Sequence, residues 1–417
     1  MKVDLSKYSM LCGCGKTHDM KTCMVAIESG AMKKLGEYMS LYGYTGRCCA
    51  VYDETTYRIT EGMHPECAQE IVLDPEGLHA DEKSTAYVLS ILESDIEIMI
   101  AVGAGTIHDI TRYCAHERGL DFISCPTGAS VDGFCSTVCS MTWYGYKKTM
   151  PAVAPVMVVA DTDIFSHAPV ELVRSGVGDI LAKFTALADW RIAHIVTGEY
   201  LCETIYGIVD EALHSVANGI DDIVTGSPKA YEDVMYALVM SGVAMQMIGN
   251  SRPASGCEHH ISHMIEMKTP ALEVEYVAMH GEKTGVGAVI GARVYHEMAK
   301  TADIAPLLVP FEPVSHEYIR EIFGDGLKDA IIEENEKDVL ATVDNKVFAE
   351  KWPEVVKVIE GIPSADEIYQ MLAKLGAKKD LSDIGIGEDK MDIIIKASPI
   401  VRNRLTLMRM RRLFRDW

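Results

Sequence analysis

The chain has 417 residues, 48% hydrophobic and 24% charged, with a formal net charge of −22 from 39 basic and 61 acidic residues. It is too long for one ordinary core, and its acidity argues against nucleic acid or an anionic membrane as a partner, while a small anionic substrate could still be held by a local basic cluster. No apolar run reaches the ~18 residues of a membrane span, no signal-peptide core follows residues 1–8, and twelve cysteines read as reduced thiols, so a cytoplasmic protein is expected.

Near the start, Cys12, Cys14 and His18 stand in Cys-Gly-Cys-Gly-Lys-Thr-His. Cysteines one residue apart with no second pair fall short of a zinc ribbon, and a structural turn is expected. From residue 21 to about 165, short apolar runs alternate with longer amphipathic stretches. The runs 48–52, 70–73, 97–102, 122–125 and 156–160 are predicted as buried parallel strands, and 29–42, 82–92 and 107–118 as crossover helices. Residues 138–144 and the turn Gly145-Tyr146-Lys147-Lys148 predict a hairpin before the last of these strands.

One junction in this half carries a chemical signal. The run 97–102 delivers Gly103-Ala104-Gly105-Thr106-Ile107-His108-Asp109, a Gly-rich turn opening a helix. Such a turn lets backbone N–H groups approach a pyrophosphate, although two glycines also serve plain sterics. The next strand ends in Cys125-Pro126-Thr127-Gly128-Ala129-Ser130-Val131-Asp132-Gly133, with Ser136 beyond, small and hydroxyl residues where an open α/β sheet binds its ligand. Asp53, closing the first strand, can meet a ribose hydroxyl, which would disfavour a 2′-phosphate, or cap a helix.

After Pro169 the alternation stops. Helical period marks 183–196, 200–217, 231–247, 259–267, 282–298, 328–344, 365–375 and 399–415. The expected architecture is an α/β Rossmann-like dinucleotide-binding domain, 1–167, followed by an all-helical metal- and substrate-binding domain, 168–417. The basic segment 401–417, with Arg402, Arg404, Arg409, Arg411, Arg412 and Arg415, reads as one solvated helix face.

Within the helical half, Ser251-Arg252-Pro253-Ala254-Ser255-Gly256-Cys257-Glu258-His259-His260-Ile261-Ser262-His263 follows a strong helix stop. His259 and His263, four residues apart, project from one helical face. His280-Gly281-Glu282 downstream and Ser175-Gly176-Val177-Gly178-Asp179 upstream supply a further imidazole and a carboxylate, donor types that can close a divalent site. Spacing alone leaves open which imidazoles belong to it.

Taken together, these motifs resemble the dehydroquinate synthase-like and iron-containing alcohol dehydrogenase-like superfamily, over about residues 8–415. Within it the chain most resembles the sn-glycerol-1-phosphate dehydrogenases of AraM type, whose Glu-His-x-x-Ser-His form is matched by Glu258 to His263. The resemblance implies that Asp179, His259 and His280 hold a divalent metal, zinc or nickel. It implies that His263, with Asp179, approaches the substrate and that Asp132 binds its hydroxyl end. Gly105, Thr106, Ile107, His108, Asp109, Thr127, Gly128, Ala129, Ser130 and Ser136 would line NAD or NADP. Relatives often show three glycines where this chain has Gly-Ala-Gly-Thr, and dehydroquinate synthases carry Glu at the place of Asp179.

The implied activity is reversible hydride transfer between NAD(P)H and dihydroxyacetone phosphate, giving sn-glycerol 1-phosphate, with the metal polarising the carbonyl. A homo-oligomer acting on a phosphorylated triose or polyol, with no nucleic-acid partner, is expected. Arg252, Lys148 and Lys283 are candidates for the substrate phosphate. A polyol dehydrogenase without a phosphate, or a cyclising lyase of the dehydroquinate synthase kind, are the alternative activities.

Overall fold

A computed structural model describes all residues except 1, 4, 6, 7, 9, 10, 145, 277, 416 and 417, so the expected turn residue Gly145 and the ends of the segments 1–8 and 401–417 lie outside the described residues. The chain divides into two compact units, Met1–Val177 with His214–Ser251, and Gly178–Leu213 with Arg252–Trp417.

The first unit is built on a sheet of β1 (Lys2–Val3), β2 (Met24–Glu28), β3 (Cys48–Asp53), β4 (Gln69–Leu73), β5 (Ile98–Gly103), β6 (Asp121–Pro126) and β9 (Met157–Asp161), with β7 (Val138–Trp143) and β8 (Tyr146–Pro151) forming the expected hairpin apart from it. The order is β1-β2-β9-β6-β5-β3-β4, parallel except for β1 against β2. The predicted strands stand within a residue of their expected positions, and β1 and β2 are additions to them.

Apolar continuity is what makes these segments strands buried on both sides. In β3, Cys48, Ala50 and Tyr52 enter one core and Cys49 and Val51 the other; in β5, Ile98, Ile100 and Val102 separate from Met99 and Ala101 in the same way. Helical side chains cover each face, Leu35 and Tyr38 on the first, Ile107, Ile110 and Cys114 on the second. Full burial of each large apolar side chain contributes ~1.5–3 kcal/mol. The connections run from β3 outward to β4, then return to β5 and proceed the other way through β6 to β9. The order therefore reverses between β3 and β5, and the crevice at their carboxyl ends is where such sheets take ligands.

The expected single division after residue 167 does not match these units, because the helix Pro228–Ile248 packs into the α/β unit. Gln246 Nε2 donates to Cys135 O at 2.6 Å and Thr22 Oγ1 at 2.7 Å, and Met247 O pairs with His18 Nδ1 at 2.8 Å. Periodicity marks a helix but does not say which core receives its apolar face. His18 also meets Cys14 at 3.4 Å inside a turn closed by Cys12 N–H to Lys16 O. All twelve cysteines are free thiols.

The second unit is helical. Two predicted helices differ from expectation, and the helix Asn345–Glu360 is an addition to the predicted set. The predicted helix 328–344 ends at Asn335 and belongs to a longer segment starting at His316, kinked at Gly324 where φ is +73°. The predicted helix 399–415 is broken into a 3-10 turn Ser398–Ile400, an irregular stretch, a short helix Leu407–Met410 and a second turn Arg411–Leu413. Side chains claim the backbone groups a continuous helix would use. Arg409 donates to Pro399 O at 2.5 Å and Arg402 O at 3.0 Å, and Leu407 N–H donates to Asp189 Oδ1 at 2.7 Å. Leu405, Leu407, Met408 and Leu413 are all buried, so the segment is core rather than solvated surface. Among the described residues no helix is long and apolar enough to cross a membrane.

This C-terminal segment is anchored by Asp338, whose Oδ1 accepts from Arg409 Nε at 2.9 Å and whose Oδ2 accepts from Arg412 Nη1 at 2.6 Å. Burial disfavours the Asp338 carboxylate, but Arg409 and Arg412 outweigh it and hold its pKa below the ordinary value. Its stabilisation is therefore present above the unfolded value near 4 and is lost as pH falls through the depressed folded value. Asp338→Ala leaves buried guanidinium charge uncompensated and is expected to cost ~3–5 kcal/mol in urea unfolding at pH 7, with a smaller difference from the parent below pH 4.

Candidate functional site

Two groups of predicted residues are distributed between the units. In the first unit, the turn after β5 starts the helix Gly105–Arg118 from an extended Ala104 with no side-chain cap, so its first N–H groups have no intrahelical acceptor. A Cβ on Gly103 would stand 2.6 Å from Ile107 Cβ, so that glycine serves packing of the strand against the helix. Thr127 N–H donates to Gly103 O at 3.0 Å, tying the loop after β6 to this turn.

The expected nucleotide residues fall into two classes. Gly105, Thr106 and Asp109 are partly exposed along the helix start, and Thr127, Ala129, Ser130 and Ser136 line the adjoining buried loop with Gly128. Ile107 and His108 instead point into the core. Ile107 has only its N–H to offer. His108 joins Ala104 O at 3.0 Å through Nδ1 and Ser124 Oγ at 2.8 Å through Nε2, and burial pushes its pKa down to about 3. Its N–H is taken by Ala104 O as well, so its ring and N–H hold the turn together instead of meeting a cofactor. Asp53 caps the helix Glu54–Ile59 through Thr56 N–H at 2.8 Å. Asp132 is buried, and its Oδ2 accepts from Ser241 Oγ at 2.9 Å.

In the second unit, Asp179 on the helix Val170–Leu181, His259 on the helix Cys257–Glu266 and His280 at the start of the helix His280–Ala299 bring their ligand atoms within 4.8 Å of one another. Small residues allow the approach. A Cβ on Gly178 would lie 2.3 Å from the backbone oxygen of Gly281, so the residue before Asp179 must be glycine for that helix to reach the one that starts with His280.

Two carboxylates orient the rings. His259 Nδ1 donates to Glu258 Oε1 at 2.7 Å and His280 Nδ1 to Glu266 Oε1 at 2.7 Å, which leaves the Nε2 lone pair of each ring for a ligand. Burial pushes Glu258 upward, opposed by donation from Thr185 and the Gly256 N–H. For His280, burial disfavours the imidazolium but the Glu266 charge and hydrogen bond, with Asp179, outweigh it and hold the pKa above its usual value. His259 Nε2 stands 3.7 Å from Asp179 Oδ1, long for a hydrogen bond. Donors ~2.1 Å from a shared tetrahedral ion stand about 3.4 Å apart. One carboxylate and two imidazoles with fixed tautomers fit a divalent transition-metal cation. Lys183, fully buried, pairs with Asp179 Oδ1 at 3.1 Å.

His263 lies beside this group, its ring 6.1 Å from His259 and 6.2 Å from His280. Burial lowers its pKa well below the ordinary value, so the ring is neutral at pH 7. His260 is fully buried with both ring nitrogens unpartnered and is not one of the converging donors. Glu258, Glu266 and Lys183 went unassigned in the sequence reading. Helical spacing carried a signal for two of them, since Glu266 is seven residues from His259 and Lys183 four from Asp179. A third acidic residue, Asp189, is raised to about 7 by burial and by Glu258, and is consumed by Cys257 N–H, Tyr295 OH and Leu407 N–H.

Residues 26–169 match a family described as iron-containing alcohol dehydrogenase. The chain is 31% identical over 409 residues to a Geobacillus stearothermophilus protein named glycerol-1-phosphate dehydrogenase, NAD(P)+, covering 95% of this chain and 94% of that one. A Bacillus licheniformis protein of the same name is 36% identical over 298 residues, 69% of this chain and 74% of its own. Among solved structures, a probable glycerol dehydrogenase from Sinorhizobium meliloti superposes with a TM-score of 0.62 at 15% identity, over 93% of this chain and 91% of that chain, a likeness of fold.

The orienting carboxylates can be tested apart from the donors. Glu258→Gln and Glu266→Gln are each expected to weaken binding of added zinc by ~10–100-fold, measured by competition with a chelating dye, while the protein stays folded by circular dichroism.

Proposed function

This chain belongs to the glycerol-1-phosphate dehydrogenase family, and from that membership we propose that it catalyses the reversible NAD(P)H-linked reduction of dihydroxyacetone phosphate to sn-glycerol 1-phosphate. The observation that supports this most directly is the convergence of Asp179, His259 and His280, with the neutral ring of His263 one helical turn from His259. In this reading those three residues hold a divalent ion, zinc or nickel, which when bound supplies Lewis acidity to the substrate's carbonyl oxygen.

The side chains carry the rest. Glu258 and Glu266 keep the Nδ1 protons of His259 and His280 and so keep both Nε2 atoms available. His263, neutral through burial, accepts the hydroxyl proton at a ring nitrogen in the oxidising direction and returns it in reduction. Asp132, oriented by Ser241, is assigned to a substrate hydroxyl. The N–H groups of Gly105, Thr106 and Ile107, with the small residues from Thr127 to Ser130 and Ser136, are assigned to the cofactor, whose pyrophosphate suits the start of a helix. The free thiols support a reducing, cytoplasmic setting.

The direct test compares NADH oxidation with dihydroxyacetone phosphate and dihydroxyacetone against NAD+ reduction with glycerol, and determines the chirality of the product. Preference for the phosphorylated ketone and an sn-1 product are expected. His259→Ala and Asp179→Asn should lose metal and turnover together, whereas His263→Ala should keep the metal and lose ~10²–10⁴-fold in turnover. Full activity in metal-free His259→Ala protein would sink the assignment.

A further inference from the structure

The basic residues that the sequence offers for a substrate phosphate are committed elsewhere. Arg252 pairs with Glu199 at 2.7 Å and donates to Leu405 O at 2.7 Å, and Lys283 pairs with Glu266 at 3.1 Å. Lys148 is exposed on β8 in the first unit.

The irregular C-terminal stretch supplies what these lack. It packs back on the helix that carries His259 and His263 through the turn Ser398–Ile400. Arg404 Nη1 donates at 2.7 Å to Ser255 O, just ahead of that helix, and Arg409 grips Arg402 O at 3.0 Å. Held between these clamps is the guanidinium of Arg402, half-buried, with no carboxylate at ion-pair distance and no hydrogen-bond acceptor among the described residues. Glu334 acts on it only from farther away, and accepts from Asn403 N–H at 2.7 Å. Arg409 and Arg412 differ in this respect, since both pair with the Asp338 carboxylate.

The charge of Arg402 is felt by imidazoles of the helix on which this segment packs. Burial, then Glu266 in the opposing sense, then Arg402 act on His263; burial, then Arg404 and Arg402, act on His260, whose two ring nitrogens have no partner. A cation withdrawn from water beside neutral rings is costly unless an anion completes it, and a guanidinium fork is matched in shape to phosphate oxygens. We propose that Arg402, supported by Arg404, is the subsite for the phosphate group of the substrate, next to His263. This rests on the dehydrogenase reading above and names its specificity-determining residue.

The test pairs kinetics with direct anion binding, using the metal-loaded full-length enzyme, Arg402→Ala and Arg402→Lys. Loss of a bidentate charge-assisted contact is expected to lower the ratio of kcat/KM for dihydroxyacetone phosphate over dihydroxyacetone by ~10–100-fold in Arg402→Ala, through KM, with Arg402→Lys in between and metal content at the parent level. Inorganic phosphate should raise the thermal midpoint of the parent protein and not that of Arg402→Ala. An unchanged substrate ratio, an equal loss with both ketones, or equal phosphate stabilisation of parent and Arg402→Ala would overturn the subsite. Should the parent protein itself reject dihydroxyacetone phosphate, the dehydrogenase reading fails, and the phosphate shift still decides whether Arg402 binds the anion.

Discussion

Inside the helical unit, every imidazole that points a nitrogen at Asp179 is held by a carboxylate behind it. Glu258 and Glu266 each accept from Nδ1 at 2.7 Å, and this fixes which ring nitrogen is bare. The constraint propagates outward. A buried carboxylate needs donors of its own, so Glu258 draws in Thr185 and the Gly256 N–H, and Glu266 draws in Lys283. Ligand geometry, helix placement and the polar interior are thus one connected system, in which removing any single charge strands its partner.

The same logic builds the C-terminal segment. Asp338 pairs with both Arg409 and Arg412, and Arg409 in turn takes backbone carbonyls that would otherwise close a helix. The chain is forced into an irregular path across the histidine helix, and arginines that a continuous helix would have turned to solvent are brought inside. Arg409 and Arg412 acquire a carboxylate partner in Asp338. Arg402 has none among the described residues, and its charge is felt by His260 and His263.

The α/β unit obeys a different rule. Its sheet is stabilised by apolar area on both faces, and the reversal of order between β3 and β5 opens a crevice at the strand ends. The glycine turn after β5 sits at this reversal. His108 and Gly103 serve the turn's packing, and the helix Gly105–Arg118 starts partly exposed with no side-chain cap.

Much of this was legible in the amino-acid order because it is local. Continuous apolar runs bounded by Gly, Pro and Asp specified the parallel strands, period 3.6 specified most helices, and the motifs around Asp179, His259, His263 and His280 specified a family and its chemistry. The helix Pro228–Ile248 had a period but no address, since the face it buries could have suited either core. The break in 399–415 depended on Asp338 and Asp189, far away in sequence, competing for the backbone and its arginines. Spacing alone did not separate His259 from His260; packing did, setting Asp179 and Glu258 about the His259 ring and Glu266 on that of His280, while both ring nitrogens of His260 are left without a partner. Pattern along the chain determines which elements form and which donor types they carry, because those depend on neighbours a few residues apart. Which donors meet, and which charge is left without a counter-ion, was decided by tertiary packing, because only there do groups distant in sequence compete for the same partner.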